Sequence, residues 1–72
     1  MKNLVSLVTV QVKENGFKNT YSFYQYNDDR TNKNEYRIYN YHTKETKEVT
    51  KEAGNAFYKE IIKNAYKYIK VV

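Results

Sequence analysis

Glu35, Arg37, Tyr41 and His42 form the only set in the chain whose residue types suit proton transfer at a phosphodiester. That chemistry needs acid and base within hydrogen-bond reach of one substrate. The segment alternates as a strand does, and alternation sends His42 to the face opposite Glu35, Arg37 and Tyr41. Nucleophilic catalysis has little to work with either: cysteine is absent, and the one histidine falls at a strand end. The same absences remove thiolate and multi-histidine metal sites. The oxygen-rich run Asp28-Asp29-Arg30-Thr31-Asn32 lacks the glycine and the distant glutamate of a calcium loop. Gly16 and Gly54, the only glycines, make no phosphate cradle. We assign no catalytic residue, no metal and no cofactor, and expect a protein that is not an enzyme.

Two other groups of side chains suit binding. Nine residues are tyrosine, and those at 24, 26, 39 and 41 share a strand parity with Arg37. Tyrosine and arginine on a flat surface serve protein docking or the stacking of unpaired bases; without a ligand they give ordinary cross-strand pairs. The second group is Lys59, Lys63, Lys67 and Lys70, spaced as a ridge along a helix and suited to contacting phosphates. A solvated helix face has the same pattern, and Glu60 stands within pairing distance of Lys63.

The charge balance supports both uses. Thirteen Lys and Arg against eight Asp and Glu give +5, and eleven of the cations are lysine. Residues 1–50 carry eight cations against six anions and residues 51–72 five against two, so the excess is concentrated at the end. A basic balance is the first mark of a nucleic-acid binder, although lysine lacks the forked geometry with which arginine reads bases. With 72 residues and no cysteine, a small core has neither disulfide nor metal to support it, which favours association with a partner or a second copy. The first ten residues contain no apolar run longer than two, so they predict a strand rather than a leader or membrane span. The expectation is a soluble cytoplasmic protein with no membrane partner. Abundant Lys, Asn, Tyr and Ile also reflect AT-rich coding, which discounts the raw tyrosine count.

These side chains must be positioned by a few short elements. Residues 5–13 alternate and are rich in β-branched types, a strand. Asn15-Gly16 follows, the strongest short hairpin signal, because a type I′ turn needs positive φ at both positions. A two-residue loop there pairs Val12 with Asn19, Val10 with Tyr21 and Val8 with Phe23 on one face. It pairs Thr9 with Ser22, Leu7 with Tyr24 and Val5 with Tyr26 on the other. The second strand runs over about 17–26, a polar loop over 27–34 and a third strand over about 35–42, with Tyr36 and Ile38 facing the core because burying Arg37 is costly. A short fourth strand falls at 47–49. From Thr50, a plausible N-cap, the spacing of Ala53, Phe57, Ile61, Ala65, Tyr68 and Val72 predicts a helix over about 51–70. Gly54 weakens its first turn. The whole reads as one α+β domain over 1–72: a three- to four-stranded antiparallel meander with one C-terminal helix on one face. The opposite face, with Tyr24, Tyr26, Arg37, Tyr39 and Tyr41, is left open for a partner.

That order of strands before a helix resembles, in topology alone, the three-stranded-sheet DNA-binding domains of the plant ethylene-response type and of integrase arm-binding domains, without their arginine-rich strands. In size and composition the chain is similar to short phage and mobile-element proteins, including inhibitors of nucleases and CRISPR effectors. The resulting expectation is a small binding protein of phage type, acting in the host cytoplasm by docking on a protein as an inhibitor or accessory factor of a nucleic-acid-handling or defence complex. The alternatives are a direct DNA- or RNA-binding module and, second, a small ribonuclease toxin; homodimerisation belongs with the candidate partners.

Overall fold

The computed structural model describes all 72 residues and contains β1 (Lys2–Glu14), β2 (Phe17–Asp28), β3 (Lys33–Asn40), β4 (Glu45–Val49), α1 (Lys51–Ile62) and β5 (Ala65–Lys70). The first hairpin turns at Asn15 and Gly16, whose φ of 47° and 85° are the two positive values a type I′ turn requires. Its register is the one the turn dictates: Val12 opposite Asn19, Val10 opposite Tyr21, Val8 opposite Phe23 and Leu7 opposite Tyr24. Beyond Ser6 the ladder slips. A bulge at Val5 sets Leu4, rather than Val5, against Tyr26. The β2–β3 and β3–β4 turns place Asn32 and Lys44 at positive φ. Asn40 Oδ1 accepts from the backbone of His42 and Thr43 in the second of these, so β3 ends at Asn40 and not at 42.

The sheet is antiparallel with five strands in the order β4-β3-β2-β1-β5, two more than the meander of three and one more than four. The C-terminal segment accounts for the difference. The predicted helix over 51–70 stops at Ile62, and 65–70 is a strand on the free edge of β1. Geometry sets the stopping point. Val49 lies at the level of Ser6 on β1, and Ala65 at the level of Val12. Between them the chain must climb roughly 20 Å along the strands and cross four inter-strand gaps, roughly 19 Å, a diagonal of about 28 Å. Twelve helical residues supply about 18 Å, and Thr50, Lys63 and Asn64 the rest. A longer helix would overshoot the edge and leave the N–H and C=O groups of β1 unpaired. The closing strand also separates this topology from the three-stranded DNA-binding plan.

Thr50 caps α1, its Oγ1 accepting from Ala53 N at 3.1 Å. The glycine at 54 has a steric reason: a Cβ there would stand 3.3 Å from Val49 Cγ2. Ile61 is buried with Val8, Val10, Val12 and Tyr21, and Phe57 and Tyr58 set ring edges against Tyr21 and Phe23 at 5.3 and 5.1 Å. Only seven residues of the chain are buried, so the core is thin and lies over the β1–β2 centre. No helix is long and apolar enough to cross a membrane.

Candidate functional site

Opposite residues of an antiparallel ladder share a face, so the register assigns every side chain. Tyr24 and Tyr26 project from β2, and Arg37 and Tyr39 from β3, on the face away from α1, with Leu7 opposite Tyr24 and Leu4 opposite Tyr26. Tyr41 joins them from the turn, its backbone N–H bonded to Thr20 O. The five residues expected from the sequence are therefore brought together, and Leu4 takes the place expected for Val5.

Their contacts fix them in place. The rings of Tyr24 and Tyr26 are parallel to within 4° with centroids 6.1 Å apart. A planar group held between them needs about 7 Å, two contacts of ~3.5 Å, so nothing planar fits in that gap. The Arg37 guanidinium lies 5.0 Å over the outer ring, Tyr26, and donates to Glu35 Oε2 at 3.0 Å. Lys2 Nζ reaches the other Glu35 oxygen at 2.9 Å. The hydrogen bond from Lys2, with Arg37 adding to it, holds the Glu35 carboxyl below its ordinary value. Tyr39 and Tyr41 meet edge to face at 4.7 Å. The Tyr41 hydroxyl continues a chain through Ser22 Oγ at 3.0 Å to Thr9 Oγ1 at 2.9 Å. Beneath these rings Ser22 has no exposed surface. Burial, reinforced by the neighbouring Tyr41, raises the Tyr24 phenol above its ordinary value.

The other sequence-derived groups are dispersed. The lysine ridge does not exist as a row, because its second half is strand. Lys59 is on α1 and Lys63 caps it, paired with Glu60 at 3.0 Å. Lys67 lies opposite Gln11 on the tyrosine face, and Lys70 lies opposite Val8 on the helix face. Glu35 is on β3 opposite Tyr26, whereas His42 is in the turn beyond the other end of β3. His42 packs on Phe17 at 5.5 Å between centroids, so the proton-transfer set is not assembled. Asp28 and Asp29 face the Met1 amino group at 4.0 and 3.0 Å. No group of three or more His, Cys, Asp or Glu side chains is placed to hold a metal ion.

One group escaped the sequence reading. Lys13 and Lys18 are directly opposite each other on the tyrosine face, and Lys67 lies beside them on β5. Extending the hairpin register by one pair would have found the first two; the third member required knowing that 65–70 is a strand. Comparison with family models, with curated proteins and with solved structures gives no match.

Proposed function

We propose that the chain is a small non-enzymatic docking module whose tyrosine face binds a protein partner, with Tyr24, Tyr26, Arg37, Tyr39 and Tyr41 at its centre. The observation that carries this reading is the mutual fixing of that cluster. Stacked and edge-on rings, the Arg37 clamp and the Ser22–Tyr41 bond hold large side chains in one arrangement before any partner arrives. Preordered Tyr and Arg lose little rotamer entropy on binding and provide hot-spot contacts. The gap between Tyr24 and Tyr26 is too narrow for a base and Arg37 covers the outer face of Tyr26, which favours a protein over a single strand. A large surface for so small a chain agrees: 5247 Å² is exposed, against about 4,700 Å² for a compact protein of this mass. The composition and size of phage-type inhibitors suit such a module, acting on a nuclease or another defence complex.

The experiment is affinity capture from host extract, with the wild type beside Tyr24→Ala/Tyr39→Ala and Arg37→Ala. The reading expects one stoichiometric protein with the wild type, retained at moderate salt and after nuclease treatment, and lost with both variants while their circular dichroism stays native. Undiminished capture by the tyrosine variant overturns it, as does capture that nuclease abolishes.

A further inference from the structure

The tyrosine face is sorted by charge along the strands. At one end Lys2 on β1, Glu35 and Arg37 on β3 and Glu48 on β4 mix both signs, with Lys2 and Arg37 both bonded to Glu35 and Glu48 opposite Arg37. Toward the hairpin tip, roughly 20 Å away, Lys13 is directly opposite Lys18, and Lys67 follows on β5 beside Gln11. No carboxylate shares that end of the face: Glu14, the nearest in sequence, turns to the other side and accepts from the Tyr21 hydroxyl at 3.2 Å. None of the three lysines has a salt bridge. Lys18 instead lies over the Tyr66 ring at 5.4 Å.

Like charges directly opposite in a ladder destabilise it. Departures from such local rules are expected at functional sites, and the Tyr66 ring engages Lys18 alone, leaving Lys13 and Lys67 without a partner of opposite charge. We infer that Lys13, Lys18 and Lys67 form a recognition site for an acidic segment of the protein partner, its carboxylates neutralising the three ammonium groups while the adjoining tyrosines take its apolar residues. The inference rests on the docking reading and gives that partner its charge. A polypeptide carboxylate suits the site better than a nucleic-acid strand. The trio contains no arginine, and the Tyr66 ring already has a cation over it.

The test has two readouts. In the free protein Lys13→Glu turns the opposed like pair into an opposite pair and leaves Lys18 over Tyr66, and Tm rises by about 2–4 °C. In fluorescence anisotropy at low ionic strength, a labelled oligoglutamate binds the wild type. It binds Lys13→Glu/Lys18→Glu about tenfold more weakly or worse, while the charge-matched Lys47→Glu/Lys51→Glu retains it. Equal loss in the two double variants overturns the inference, because binding then follows net charge. Tighter binding of an oligothymidylate of equal length also overturns it, because the site then reads phosphates. Oligoglutamate carries no apolar side chain, so its binding reads the lysine site. Capture of the protein partner by Tyr24→Ala/Tyr39→Ala reads the tyrosine surface, and the two readings fail in different measurements.

Discussion

Ile61 and Ile62 are neighbours in sequence with opposite surroundings, and substituting each by alanine tests how the helix sits. Ile61 is 7 % exposed and belongs to the cluster of Val8, Val10, Val12 and Tyr21, whereas Ile62 is 39 % exposed. Ile61→Ala removes about three buried methyl or methylene groups at ~0.8 kcal/mol each. The cavity left against Val10 and Val12 adds to this, for a loss of about 3 kcal/mol. Ile62→Ala costs less than about 1 kcal/mol. For a chain of this length total stability is roughly 4–11 kcal/mol, so the first variant loses a large share of it. Urea unfolding followed by far-ultraviolet circular dichroism measures both. If the two costs are equal, the helix does not lie on the sheet through Ile61, and the separation of a covered face from a tyrosine face fails with it.

Removing the cap with Thr50→Ala costs about 1 kcal/mol in the same assay, since Ala53 N loses its acceptor. Lys44 holds φ at 61°, so Lys44→Gly relieves a left-handed conformation and stabilises by about 0.5–1 kcal/mol; a destabilised variant would show that the turn is formed differently. Burial, with the Tyr68 hydroxyl alongside, pushes Tyr58 up to about 12. A phenol raised in the folded state supports folding fully below pH ~10, and that support is lost as pH rises from there to about 12. Tyr58→Phe therefore flattens the alkaline limb of stability against pH, and an unchanged limb refutes the assignment.

The hairpin was legible because Asn15-Gly16 permits almost one backbone solution and the register then counts itself outward. That counting fails where a residue can be skipped without burying anything unsuitable: Val5 bulges out near the strand's exposed end, beyond the reach of the buried Val8 and Val10. The tyrosine face followed from the same count and is assembled on the expected side of the sheet. The end of the helix was hidden for a different reason. Ala65, Tyr68 and Val72 continue a helical spacing, Lys63 stays right-handed as the cap, and no glycine or proline marks the stop. The local signal was composition, since Tyr66, Tyr68, Ile69, Val71 and Val72 favour extended backbone. What decides it is distant, the unpaired edge of β1. Reading 63–70 as helix also drew a lysine row in which Lys67 and Lys70 in fact lie on opposite sides of a strand.

Because β5 docks on β1, that strand is bordered on one side by its neighbour in sequence and on the other by a strand made much later. The nascent hairpin must wait, with one flank of β1 bare, through the synthesis of some forty further residues. Sheets joined by such distant segments fold slowly, and bare flanks recruit other chains. Translation pauses or chain loss near residue 65 would thus trap a species prone to aggregate, making delivery of the final strand the step on which productive synthesis turns.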